Sequence, residues 1–171
     1  MKLERYIRDV RDFPRPGIVF KDITPLLADA AALRECVVRL AAPFRGAGIE
    51  TVCGIESRGF IFGAALAREL GAGFVPIRKP GKLPARTLGA DYALEYGSDR
   101  LEIHADALAP GRRTLLVDDV VATGGTLLAA RRLIAELGAE LAAATVVIEL
   151  EFLKARERWT DGAALHALLR Y

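Results

Sequence analysis

Short apolar runs alternate along the chain with longer stretches that carry an apolar stripe. Thr51-Val52-Cys53-Gly54-Ile55, Phe74-Val75-Pro76-Ile77, Thr114-Leu115-Leu116-Val117 and Ala144–Leu150 are brief, β-prone and almost free of charge. That is the pattern of strands buried on both faces. Between them the period changes. Leu33, Val37, Leu40, Ala41 and Phe44 share one face at helical spacing, behind Asp29 as a candidate N-cap. Gly59–Leu70 predicts a helix closed by Gly71, and Thr126–Leu137 one stopped by Gly138. Strand alternating with helix predicts an α/β fold with a mainly parallel central sheet flanked by helices.

The intervening segments are less regular. Residues 3–11 read as a short helix, ended by Phe13-Pro14-Arg15-Pro16-Gly17. Tyr92–Tyr96 and Leu101–His104 read as two strands of a hairpin joined around Gly97-Ser98. Arg78–Asp91 has no convincing periodicity. Asp118–Gly125 reads as a loop, and Leu165–Tyr171 as a final strand or helix.

Composition narrows the class. A chain of 171 residues suits one domain over its whole length, and an apolar share of 52% fits a packed core rather than disorder. Lys and Arg total 24 against 22 acids, a net charge of +2, which gives no support to broad nucleic-acid or membrane binding. No window reaches the roughly 18 consecutive apolar residues of a membrane span. The mixed, charged start Met1–Tyr6 lacks a signal-peptide stretch, so a cytoplasmic protein is expected. Cys36 and Cys53 then stay reduced and pack as small hydrophobes. His104, His166 and Trp159 read as structural. With two histidines in all, a His-built metal site is not expected.

Most of the chemistry lies in Leu115–Thr126. An apolar strand ends in adjacent acids, Asp118 and Asp119, and a small-residue loop then opens a helix. Gly124 and Gly125 let backbone N–H groups surround an anion, the helix start adds unpaired donors, and Thr123 and Thr126 add hydroxyls. Carboxylates repel phosphate, so the acids call for a ligand that also carries hydroxyls or a metal ion. They suit vicinal ribose hydroxyls, or water held on Mg²⁺. Neither Gly-x-x-x-x-Gly-Lys-Ser/Thr nor Gly-x-Gly-x-x-Gly is present. The other reading of the segment is a βα turn with two solvated acids.

Val117–Thr126 resembles the phosphoribosyl-pyrophosphate signature of the type I phosphoribosyltransferases. Phe13–Ile23, Glu56–Phe60, Ile77–Pro84 and Leu94–Gly97 recur in the order of the family's adenine-specific members, so the resemblance spans nearly the whole chain. It implies the type I fold with a small N-terminal hood, mainly residues 1–28, and a flexible loop. The implied reaction takes adenine and phosphoribosyl pyrophosphate to AMP and pyrophosphate with Mg²⁺, in cytoplasmic purine salvage by a homodimer.

The resemblance also distributes roles. Asp118 and Asp119 hold the ribose, and Ala122, Thr123, Gly124, Gly125 and Thr126 hold the 5′-phosphate. Arg78, Lys79 and Lys82 contact pyrophosphate from a basic loop, 78–86, that contains no acid and is broken by two prolines and a glycine. On composition alone that loop reads as a solvated surface run. Ser57 and Arg58 hold pyrophosphate at a helix start, where the family places a non-proline cis peptide between Glu56 and Ser57. Val19, Phe20 and Lys21 form the adenine pocket, with Phe20 stacking on the base; by composition Phe20 is equally a core aromatic. The family often has Arg at position 21, which leaves the Lys21 side chain to touch base or phosphate. Glu95 is the acid/base group for the adenine proton, and Tyr96 lines or closes the site. No residue is expected to bind the metal directly: Mg²⁺ is held through substrate and water. Two other readings are a phosphoribosyltransferase for 6-oxopurines and a non-catalytic sensor of phosphoribosyl pyrophosphate.

Overall fold

The structure, a computed structural model, describes residues 1–93, 97–160 and 162–171. A 3₁₀ turn at Leu3–Tyr6 leads into β1 (Arg8–Arg11), which pairs antiparallel with β2 (Val19–Asp22). The helix expected over residues 3–11 is therefore replaced by a turn and a strand. The register explains why: Arg8 stands opposite Asp22 and Asp9 opposite Lys21. Cross-strand pairs of opposite charge favour the sheet. Arg8 donates to Asp22 from Nε at 2.9 Å, and Lys21 Nζ donates to Asp9 at 2.7 Å.

Helix α1 (Thr24–Ala28) passes directly into α2 (Ala30–Ala41). Asp29 separates them as a true N-cap, its carboxylate accepting from the N–H groups of Ala31 and Ala32 at 3.0 and 2.8 Å. The chain continues through β3 (Thr51–Ile55), α3 (Gly59–Leu70) and β4 (Gly73–Ile77). Gly71 ends α3 in the left-handed conformation, as its sequence predicts. An antiparallel pair follows, β5 (Thr87–Ala93) and β6 (Ser98–His104). The hairpin is present, but its first strand begins at Thr87, inside the stretch without periodicity. Leu88, Ala90 and Tyr92 turn toward the core, with Thr87, Gly89 and Asp91 between them.

The remaining elements are β7 (Arg113–Val121), α4 (Gly125–Glu136), β8 (Glu140–Glu149), the single-turn α5 (Ala155–Arg158) and β9 (Ala164–Arg170). The central sheet has the order β4-β3-β7-β8-β9, with every pairing parallel. Its two faces carry separate cores, and adjacent residues of β7 divide between them. Leu115 and Val117 pack with Phe62 and Leu66 of α3 and Cys36 and Leu40 of α2. Leu116 packs with Leu127 and Leu133 of α4 and with Leu101 and Ile103 of β6. Both cysteines are fully buried, and burial pushes each thiol up to about 12.

β7 is longer than its apolar run. Asp118 pairs with Val146, and Val120 and Val121 pair with Ile148 and Glu149. The segment expected as a loop from Asp118 thus remains strand to Val121, and the twin acids lie within the sheet. Parallel strands are covered on both faces. Both carboxylates are accordingly buried, at 9% and 5% exposure.

Candidate active site

Beyond the carboxyl ends of β3 and β7, under the β1–β2 hairpin, lies a cavity of about 420 Å³. Open parallel sheets place their ligands at this edge. Val19, Phe20 and Lys21 line it from the hairpin, and Ser57 and Arg58 from the turn after β3. Asp118, Asp119, Ala122 and Thr126 line it from the end of β7 and the start of α4, and Lys79 from the segment after β4. These residues come from four separate parts of the sequence. A neighbouring opening of about 750 Å³ shares Val19, Lys21 and Ala122 and also reaches Thr123, but Asp118, Asp119 and Arg58 do not line it. Glu95 and Tyr96 lie outside the described residues.

The loop between β7 and α4 is built as an anion cradle. Gly124 has φ +83°, a left-handed conformation that costs glycine little, and no side chain caps the helix it opens. The first N–H groups of α4 are therefore available to a ligand. Arg158 of α5 donates to the Thr123 carbonyl at 3.1 Å, which braces the loop from behind.

Asp118 and Asp119 are in tension with their surroundings. Burial, and then the neighbouring Asp119 carboxylate, push Asp118 well above the usual carboxylate range. Its Oδ1 accepts the Asp119 N–H at 2.8 Å. Arg58 Nε lies 2.8 Å from Asp119 Oδ2 but out of line for a hydrogen bond, and this buried oxygen has no hydrogen-bond donor. Helix α3 starts close by. A Cβ on Gly59 would stand 3.0 Å from Asp118 Oδ1 and from the Val117 carbonyl, so only glycine fits there without displacement.

The basic loop meets a different pair of carboxylates. Glu56 accepts from the Lys79 N–H at 2.9 Å, Lys82 Nζ at 3.0 Å and Arg78 Nε at 3.2 Å. Burial would raise its pKa, but these three donors outweigh burial and hold Glu56 below the usual range. Lys79 Nζ bonds Asp99 and, at 2.7 Å, Tyr92 Oη, which itself donates to Asp99 at 2.9 Å. Burial disfavours the charge on Lys79, yet these partners hold its pKa above the ordinary lysine value. Arg78 and Lys82 reach the cavity through Glu56 rather than lining it.

At the other end, Phe20 is half-buried, with Phe13 edge-on at 5.3 Å and the Arg58 guanidinium 5.2 Å from its ring centre. Val120 and Leu150 complete an apolar slot beside it. The Lys21 ammonium is engaged elsewhere, on Asp9 and 4.1 Å from the centre of the Tyr171 ring. The peptide between Glu56 and Ser57 is cis, as the resemblance implies. The Ser57 side chain does not cap α3; its carbonyl accepts the Phe60 N–H.

The family model described as "Phosphoribosyl transferase domain" matches residues 27–161. The chain belongs to the phosphoribosyltransferase family. A relative from Xanthomonas axonopodis pv. citri, named adenine phosphoribosyltransferase, is 58% identical over 165 residues, covering 96% of this chain and 89% of its own. The crystal structure of adenine phosphoribosyltransferase from Rhodothermus marinus superposes with TM-score 0.94 at 50% identity, covering 99% of this chain and 96% of that one. The Saccharomyces cerevisiae enzyme, complexed with an imino-altritol bisphosphate and adenine, superposes with TM-score 0.91 at 38% identity, covering 98% and 96%.

Within this phosphoribosyltransferase fold, sequence reasoning missed Glu56, Tyr92 and Asp99 as partners of the basic loop. For Glu56 a signal existed. A run of four cations without an acid needs a counter-charge, and Glu56 is the acid in the neighbouring Glu-Ser-Arg-Gly turn. Asp99 offered none, because its approach to Lys79 depends on how the β5–β6 pair folds back over the loop.

Proposed function

We propose that this phosphoribosyltransferase transfers the 5-phosphoribosyl group from phosphoribosyl pyrophosphate to adenine, giving AMP and pyrophosphate. One observation carries the reading: the uncapped start of α4 and the buried Asp118–Asp119 pair open into the same cavity as Phe20. A nucleoside monophosphate needs those three features in that order. Residues 122–126 hold the 5′-phosphate, Asp118 and Asp119 accept from the ribose hydroxyls, and Phe20 stacks on the base against Val120. Ser57, Arg58, Arg78, Lys79 and Lys82 take the pyrophosphate.

In the reaction the bond from ribose C1 to pyrophosphate oxygen breaks as adenine N9 approaches from the opposite face. The sugar gains cationic character, as in glycoside hydrolysis, without a covalent enzyme intermediate. The phosphate cradle fixes the 5′ end and so positions C1. The cations of residues 58, 78, 79 and 82 stabilise the departing charge. Glu95 receives or relays the proton that adenine loses, and Tyr96 closes the site; both roles rest on the resemblance.

Mg²⁺ fits the donor set. Asp119 Oδ2, ion-paired with Arg58 but without a hydrogen-bond donor, stands beside a second carboxylate, and the two would accept from water on a Mg²⁺ held by the substrate's phosphates. Bound with phosphoribosyl pyrophosphate, it supplies neutralisation of the leaving group's charge. A homodimer working in cytoplasmic purine salvage completes the reading. Among the described residues, no helix is long and apolar enough to cross a membrane.

The test is initial-rate kinetics of the purified protein with phosphoribosyl pyrophosphate, Mg²⁺ and either adenine or hypoxanthine. Adenine is expected to be strongly preferred, with AMP as product. Preference for hypoxanthine overturns the base assignment, and ligand binding without AMP formation overturns catalysis.

A further inference from the structure

Three of the four cations of the basic loop, Arg78, Lys79 and Lys82, are paired with carboxylates before any anion arrives, but not equivalently. Arg78 and Lys82 share Glu56, which is largely buried and also accepts a backbone N–H. Lys79, which lines the cavity itself, is held by Asp99 of β6. Asp99 does not depend on Lys79 for its own satisfaction. Its Oδ2 also accepts from Tyr92 Oη at 2.9 Å, and its Oδ1 from the Arg100 N–H at 2.8 Å. The lysine can leave without orphaning a carboxylate, and both side chains are about one-third exposed, so water can replace what is lost.

We infer that Asp99 is a built-in competitor for the Lys79 ammonium: it takes the lysine back from pyrophosphate and so weakens retention of the departing product. This rests on the pyrophosphate role proposed above for Lys79. Each bound pyrophosphate must break the Lys79–Asp99 pair, and each release re-forms it. Asp99 is thus a positioning residue that acts through Lys79. A merely structural Asp99 would hold Lys79 in place, and its loss would loosen pyrophosphate; a competitor's loss tightens it.

The experiment is calorimetric titration of the whole protein with magnesium pyrophosphate, for wild type, D99N, K79A and the double variant. Asn keeps the shape of Asp99: its one carbonyl oxygen can accept from the Arg100 N–H, while its amide NH2 donates to Tyr92 Oη. D99N is expected to tighten pyrophosphate about twofold to fivefold, the range of a partly exposed ion pair. It should also lower the inhibition constant of pyrophosphate in the forward reaction, with D99E restoring the wild-type value. K79A is expected to weaken pyrophosphate, and D99N to add nothing on the K79A background. Unchanged or weaker binding by D99N, confirmed with D99S, overturns the competitor while leaving the role of Lys79 intact. A D99N effect that persists without Lys79 also overturns it, as a general charge effect. Wild-type affinity in K79A removes the pyrophosphate role of Lys79, and the inference with it.

Discussion

Glu56 and Asp118 stand on the wall of one cavity, and their carboxylates meet opposite electrical surroundings. Glu56 gathers an arginine, a lysine and a backbone N–H, and is held below the usual carboxylate range. Asp118 sits in the sheet beside a second acid with one N–H to accept, and is pushed well above that range. Folding is helped by the first charge and opposed by the second. A buried acid whose charge the fold disfavours calls for donors, and substrate hydroxyls or a hydrated cation supply them. The lesson is that burial of a carboxylate says little about its role until its donors are counted.

The largest effect expected from this contrast is on activity. D118N/D119N removes two charged acceptors from the proposed ribose site. At about 1.5–3 kcal/mol for each hydrogen bond to a charged group, kcat/KM for phosphoribosyl pyrophosphate should fall about a hundredfold or more. The fold should not suffer. D118N alone is expected to raise stability by about 0.5–2 kcal/mol in urea denaturation, because it removes the cost of burying a charge and, after that, its repulsion by Asp119. If D118N destabilises the ligand-free protein, the two acids do not differ as described.

E56Q should do the reverse. It leaves Arg78, Lys82 and the Lys79 N–H facing a neutral amide, and is expected to cost about 1–3 kcal/mol of stability, discounted because Arg78 and Lys82 are partly exposed. A variant as stable as wild type would mean that the Glu56 cluster is a solvated surface feature.

The same pair of acids can be separated by pH. Folding lowers the Glu56 pKa from its ordinary 4.5, so its contribution is fully present above that value and is lost as pH falls through the folded value. Folding raises Asp118 from its ordinary 3.8, so its charge costs stability above that value, most of all once pH exceeds the folded value. E56Q should therefore differ from wild type near neutrality and converge with it in acid. D118N should differ in the opposite sense and also converge in acid. Thermal midpoints across pH 3 to 7 check both curves, and parallel curves for the two variants would defeat the contrast.

How much of this was legible beforehand follows from range. The apolar runs of β3, β4, β7 and β8 and the caps Asp29 and Gly71 are local signals, and the structure places them where the sequence does. The phosphate loop is local too, since its glycines and threonines are contiguous. The acids of that loop were misjudged in one respect: read as a loop, they lie in a strand, because pairing of Val120 and Val121 with β8 is not visible from β7 alone. The N-terminal strand was hidden for the same reason, since Arg8 and Asp9 find their partners only across the hairpin. Glu56 and Asp99 became site residues only when distant segments met.

Lys21 gives the smallest expected effect and sharpens the contrast from the side of the cations. By resemblance it belongs to the adenine pocket, yet its ammonium donates to Asp9 and lies over Tyr171. The group that can serve the base is its backbone, held in β2 by pairing with Asp9. A side chain that only ties the hairpin to the end of the sheet should matter little to adenine. K21A is therefore expected to change KM for adenine less than about threefold and to lower stability by about 1 kcal/mol, the Lys21 side chain being largely buried and its partner Asp9 exposed. Lys79, whose partner Asp99 keeps other donors, should by comparison weaken pyrophosphate when removed. A large rise in KM for adenine in K21A, with stability unchanged, would put the Lys21 ammonium on the substrate and make it a second cation that exchanges partners as Lys79 does.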